Sequence, residues 1–221
     1  MEDYAVILDY LPTGYVTESM SSFKKKPVAQ ALGTENFTLL ELMPKVDLEI
    51  DETVYIGANL EERNKIDRVR GKLDFENLTA TSRIEIDYII KEIVQKHEKK
   101  YIDFFNTAEP LSLRLHKLEL LPGIGNKHML HLLKEREKEP FKDFDDIKSR
   151  VPLLSDPINT VVNRIKMEID TTKDRRGKNK YILFTKYPKS DSEKRGRGKS
   201  GKKRNKRRKY DDRKYDDRKG K

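Results

Sequence analysis

The 221-residue chain contains no cysteine and no tryptophan. The first absence excludes a disulfide scaffold, a thiolate zinc or iron–sulfur site and a catalytic thiol, and it suits a reducing compartment. No apolar run approaches the roughly 18 residues that a membrane span needs. The opening Met1-Glu2-Asp3-Tyr4 is acidic where a signal peptide would be basic. A soluble, cytoplasmic protein without a membrane partner is expected. Charged residues outnumber apolar ones, 39% against 35%, and high Lys and Glu content without Cys leans toward heat adaptation.

What is present is positive charge, unevenly placed. Between Lys189 and Lys221 stand 17 Lys/Arg against 6 Asp/Glu, whereas residues 1–80 hold 9 against 15. The net charge of +10 therefore describes a tail, joined through a mildly basic second half to an acidic first half. The run Lys194 to Lys209 has too little apolar surface to offset its ordering entropy, so 189–221 reads as disordered. The tail ends in a tandem repeat, Tyr210-Asp-Asp-Arg-Lys214 and Tyr215-Asp-Asp-Arg-Lys219. Its cluster Lys202, Lys203, Arg204, Lys206, Arg207 and Arg208 is a candidate contact for nucleic-acid phosphate.

The first 80 residues read as about five short strands: Tyr4–Tyr10, Val28–Leu32, Phe37–Met43, Val54–Gly57 and Asp67–Leu73, with turn residues between them. That spacing predicts a small OB-like β-barrel over 1–80, with an SH3-like barrel as the competitor. After Leu78 the apolar period changes to three and four. Ile84, Ile86, Tyr88, Ile89, Ile90, Ile93 and Val94 mark a helix that Thr81 or Ser82 could cap. Further helices are expected at Tyr101–Asn106, Leu111–Leu120, Lys127–Lys138, Phe144–Arg150 and Ile158–Ile169, which makes 81–170 all-helical. Residues 171–188 read as a linker and a return strand, Tyr181–Thr185, expected to rejoin the sheet. The fold class is α+β in two domains.

The chemistry concentrates in Leu121-Pro122-Gly123-Ile124-Gly125-Asn126-Lys127. Two glycines flank an apolar residue just before a helix, so main-chain N–H groups can converge without a Cβ in the way. The first-turn amides and the positive helix end add to that concavity. Gly123, Ile124, Gly125 and Asn126 would then hold one phosphate, with Lys127 as a nearby point charge and Ile124 plugging the turn into the core. Such a site reads no bases.

This stretch resembles the helix-hairpin-helix motif, which implies phosphate contacts from the amides of Gly123, Ile124 and Gly125. The resemblance departs at Met129, where the family usually has Ala between the two helices. Pro140–Val151 resembles the lead into a second copy, whose turn Val151-Pro-Leu-Leu-Ser-Asp-Pro157 lacks both glycines. That copy is expected to keep a structural role, with Asp156 opposing phosphate. The order of parts, from Glu2-Asp-Tyr-Ala-Val-Ile-Leu-Asp-Tyr-Leu-Pro-Thr-Gly14 through the barrel to the hairpin module, resembles the archaeal DUF655 family of uncharacterised proteins predicted to bind RNA. The resemblance covers residues 1–188 and implies RNA rather than DNA. Ribosomal or other ribonucleoprotein components are expected as further partners.

Other residues carry weaker signals. Lys24-Lys25-Lys26 suits a solvated face as well as a phosphate contact. Asp143, Asp145 and Asp146 precede a helix and suit capping better than metal binding. His97, His116, His128 and His131 match no metal spacing, and the i, i+3 pair His128 and His131 shows no acidic partner, so neither metal nor cofactor is expected. Tyr4, Tyr10, Tyr15 and Tyr55 could stack bases but mostly suit packing. No nucleophile constellation, P-loop or dinucleotide fingerprint occurs, and no enzyme is expected. The alternatives are an adaptor using the acidic barrel, or a repair enzyme related to hairpin-containing glycosylases. The latter lacks an apolar catalytic-Asp setting, since Phe141-Lys-Asp-Phe-Asp-Asp146 is a polar helix start.

Overall fold

The computed structural model describes residues 2–15, 26–170 and 181–186. The linker 171–180 and the basic tail, with Lys202, Lys203, Arg204, Lys206, Arg207 and Arg208, lie outside the described residues.

Five strands, β1 (Tyr4–Leu11), β2 (Val28–Gly33), β3 (Leu39–Pro44), β4 (Thr53–Tyr55) and β5 (Ile66–Lys72), form one antiparallel sheet in the order β4-β1-β2-β3-β5. Its ends, β4 and β5, do not pair with each other among the described residues. The sheet is a curled half-barrel. Register shifts in the β1–β2 and β3–β5 ladders add the local twist that such curling needs. The continuous apolar reading of Ala5–Leu8 follows from burial on both faces. Ala5 and Ile7 join Ala29, Ala31, Leu40, Leu42, Val54 and Ile66 on the inner face. Val6, Leu8 and Leu32 turn outward into a second apolar cluster with the helices. Glu2 fixes one end of the sheet, because its buried carboxylate accepts the N–H groups of Glu35, Asn36 and Thr38 and the Thr38 hydroxyl.

The helices are α1 (Ala80–Lys96), α2 (Glu98–Thr107), α3 (Asn126–Lys138), α4 (Phe144–Arg150) and α5 (Pro157–Ile169). α1 covers the outer sheet face through Ile86, Ile89, Ile90 and Ile93. Ile84 and Tyr88, which share its apolar spacing, point to solvent at 63% and 67% exposure, since a step of four keeps them on one side and away from the buried row. Its N-cap is Thr79, not Thr81 or Ser82, and the Thr79 hydroxyl accepts the Ser82 N–H at 3.1 Å. Fully buried Gln30 seats this helix start. Its amide donates to the Asn77 carbonyl at 3.0 Å and its oxygen accepts the Thr79 N–H at 3.0 Å.

Two expectations are corrected. Leu111–Leu120 is not a helix but a small hairpin, β6 (Pro110–Ser112) with β7 (Leu115–His116), followed by a 3-10 helix at Lys117–Leu120. Leu111-Ser-Leu-Arg-Leu115 alternates with period two as well as it spaces by four, so the apolar pattern alone does not choose between strand and helix. Tyr181–Lys186 is not a strand and joins no sheet. Its amides at Leu183, Phe184 and Thr185 go instead to the Glu168 carboxylate, and Phe184 packs edge-on against Tyr101 and Phe104.

Candidate nucleic-acid interface

The Leu121–Lys127 stretch forms a tight turn that enters α3. The Ile124 N–H donates to the Leu121 carbonyl at 3.1 Å, closing a four-residue turn with Pro122 second and Gly123 third. Gly123 has φ +85°, the left-handed conformation that a type II turn requires at this position and that favours glycine. Ile124 is 5% exposed and plugs the turn into the helical core. The expected trio of donors becomes two, because the Ile124 amide is engaged inside the turn. The amides of Gly123 and Gly125 have no acceptor among the described residues.

Gly125 is the N-cap of α3 and supplies no side-chain cap. The first helical bond of α3 runs from Met129 N–H to the Gly125 carbonyl at 3.0 Å, so the amides of Asn126, Lys127 and His128 lack intrahelical acceptors. Gly123, Gly125, Asn126 and Lys127 are all exposed, and a Cβ on either glycine would meet nothing within 4 Å. A cluster of free main-chain donors thus faces open space beside a lysine. α3 is held from its far half. The Arg136 guanidinium donates to the Phe105 and Ala108 carbonyls at 3.0 Å, and Arg150 bonds the Glu135 and Glu139 carbonyls.

The Val151–Pro157 turn is built alike but closed. Leu154 N–H donates to the Val151 carbonyl at 2.8 Å, and Val151 and Leu154 are buried as Leu121 and Ile124 are. Leu153, at 61% exposure, stands where Gly123 stands in the first turn. The entrance to α5 is filled by its own carboxylate, Asp156, which accepts the Asn159 N–H at 2.9 Å. Asp143 does the same for α4, taking the Asp146 N–H at 2.7 Å, so these acids act as caps. The α3 entrance has no such occupant.

The segment before the turn is fixed by groups the sequence reading passed over. The His116 Nδ1 accepts the Leu118 N–H at 3.1 Å, and Glu119 reaches back to the His116 N–H at 2.8 Å. Burial, then the charge of Arg136, pushes the His116 imidazole below its ordinary value. Arg164 and Glu168 on α5 form a buried ion pair at 2.7 Å. Their signal was available as an i, i+4 pair on the apolar face of Val161, Val162 and Ile165. His131 has an acidic neighbour after all, with its Nε2 3.8 Å from Glu135. No group of three or more metal-ligating side chains occurs among the described residues. Tyr15 lies in the Gln30–Glu41 hydrogen-bond network, Tyr10 donates to Asp47, and Tyr4 meets Tyr55 edge-on at 5.3 Å. A cleft of about 410 Å³ between β1 and α1 mixes Asp51 and Glu92 with Lys96 and His97. It converges on no single charge.

The family model described as "Protein of unknown function (DUF655)" matches residues 1–186. The chain belongs to that family. This member is 40% identical over 190 residues to the uncharacterized protein MJ0038 of Methanocaldococcus jannaschii, a match covering 85% of this chain and 82% of that one. It also resembles the crystal structure of Af1531 from Archaeoglobus fulgidus at 38% identity and a TM-score of 0.76, covering 84% of this chain and all of the other. No helix among the described residues is long and apolar enough to cross a membrane.

Proposed function

We propose that this DUF655 protein binds nucleic acid, RNA before DNA, by gripping backbone phosphate at the Gly123–Lys127 turn without reading bases. The observation that carries this reading is the contrast between two similar turns. The α5 entrance is capped by Asp156, whereas the α3 entrance is uncapped, open and flanked by Lys127. An anion completes at α3 what a carboxylate already completes at α5. In this reading the half-barrel is an OB-like scaffold, residues 81–170 hold one degenerate helix-hairpin-helix and one competent copy whose first helix is only the 3-10 turn Lys117–Leu120, and no catalysis is involved. The tail residues Lys202–Arg208 add salt-sensitive affinity. RNA rather than DNA rests on the family resemblance alone.

The test measures binding of short RNA and DNA oligonucleotides over a salt series. Replacing Gly123 and Gly125 by bulky residues, or removing 189–221, should each weaken binding, and affinity should fall steeply with salt. Affinity that survives both changes together rejects the reading. A second reading, a protein adaptor, draws on exposed Val46, Ile50 and Leu60 among the acids of the β3–β5 loops. It requires salt-tolerant capture of a basic protein and indifference to the glycine changes.

A further inference from the structure

The turn is held at its entrance by α5. Arg164, whose side chain is 4% exposed, makes three contacts from one guanidinium. Its Nε donates to Glu168 Oε1 at 2.7 Å, its Nη1 to the Leu120 carbonyl at 3.1 Å and its Nη2 to the Tyr181 carbonyl. Glu168, with no side-chain exposure, in turn accepts the amides of Leu183, Phe184 and Thr185 at 2.8, 3.0 and 2.9 Å. Leu120 is the last residue of the 3-10 helix and immediately precedes the turn. A planar fork can hold a carboxylate and two carbonyls together, which a lysine ammonium on a flexible stem cannot do in one geometry.

We propose that Arg164 is a positioning residue for the glycine turn, and that its grip makes the presentation of the Gly123 and Gly125 amides conditional on docking of 181–185. The proposal deepens the phosphate reading above and rests on it. Arg164 touches no ligand. It fixes the carbonyl that enters the turn, while Glu168 holds Arg164 and the 181–185 backbone in one buried cluster. The sequence-distant segment thereby belongs to the binding apparatus, although none of its residues lies in the turn.

The test uses the full chain with Arg164→Lys, which keeps the charge opposite Glu168 but loses the fork. Two readouts are taken: hydrogen exchange of the Ile124 amide, which reports closure of the turn, and affinity for a short mixed-sequence RNA. Both should move by about tenfold, the scale of one charge-assisted hydrogen bond, while exchange in β1–β3 stays unchanged. Either readout moving without the other overturns the role. Should exchange rise throughout the chain, Arg164→Met with Glu168→Gln replaces the variant. It leaves no unpaired buried charge, keeps one acceptor oxygen for the Phe184 and Thr185 amides, and is judged by the same two readouts. Gly125→Asp separates this inference from the reading beneath it. If RNA still binds that variant normally, the phosphate reading fails, and Ile124 exchange alone decides whether Arg164 sets the turn.

Discussion

Gly125 is the residue at which helix stability and the proposed binding make opposite demands. Its φ of −95° and ψ of −179° are extended values that any residue adopts, and a Cβ there meets nothing. Glycine is therefore not required by the backbone at 125, as it is at Gly123 with φ +85°. Asp at this N-cap would accept a first-turn amide as Asp143 and Asp156 do, adding a few tenths to about 1 kcal/mol to stability. It would also place a carboxylate where the phosphate is expected. Gly125→Asp should raise the melting temperature slightly and lower RNA affinity more than tenfold, measured by thermal unfolding and oligonucleotide titration. Gly123→Ala should instead cost about 1 kcal/mol, because an L-residue strains in the left-handed region. His116 adds a pH dependence of its own. Its folded imidazole is held below the ordinary value, so the unfolded chain takes up a proton first as the pH falls. The stability it contributes is complete above the ordinary value near 6.5 and is lost as pH drops from there toward the folded value. His116→Asn keeps an acceptor for the Leu118 amide and should flatten stability over that window in denaturant titrations at stepped pH.

At the scale of elements, the legible parts were those fixed by local chemistry. The limits of α3, α4 and α5 follow from caps and periodicity, and five strands followed from turn residues and β-branched runs. The glycine turn was legible in kind, because Pro122 and Gly123 suit only a few turn types. Its donor set was not, since the hydrogen bond of Ile124 to Leu121 arises from the turn's closure rather than from residue type. Leu111–Leu115 failed because three leucines at spacing two fit a strand and a helix alike. The 181–186 segment failed for a different reason. Its apolar run looks like a strand, but its amides are satisfied by one buried carboxylate more than a dozen residues away, and no local pattern encodes such a partner. Phe184 shows what this docking is worth. It is 8% exposed and meets the rings of Tyr101 at 5.4 Å and Phe104 at 5.0 Å. Phe184→Ala should cost about 3–5 kcal/mol, read as a lower denaturation midpoint, and should leave the β2–β3 ladder intact at low denaturant.

For the whole molecule, the question is whether the sheet and the helices melt together. Division at residue 80 suits the change of period in the sequence, yet the apolar cluster crosses that boundary. Val6, Leu8, Leu32 and Leu39 from the strands pack in one cluster with Ile86, Ile89, Ile90 and Ile93 of α1 and with Val161 and Ile165 of α5. The polar seat of α1 crosses it too, since Gln30 of β2 holds Thr79 and the Thr79 hydroxyl donates to Asp9 of β1 at 2.6 Å. Removing the helices would expose the outer sheet face, and removing the sheet would expose the buried row of α1. The sheet would keep its inner-face cluster of Ile7, Leu40, Leu42 and Ile66, but neither part keeps the shared cluster alone. Unfolding of residues 2–186 should therefore be a single transition, with far-ultraviolet circular dichroism, dominated by the helices, and the near-ultraviolet tyrosine signal giving the same midpoint. Leu32→Ala, made in the sheet at a fully buried position, should cost about 2–5 kcal/mol and lower both midpoints equally. Two separated transitions, or a Leu32→Ala shift confined to the tyrosine signal, would mean that the strands and helices hold independent cores despite the shared cluster. The distinction bears on binding, because a turn carried on a cooperative body keeps its amides in place up to the melting point. On a helical module that unfolded independently, they would be lost at that module's own, lower midpoint.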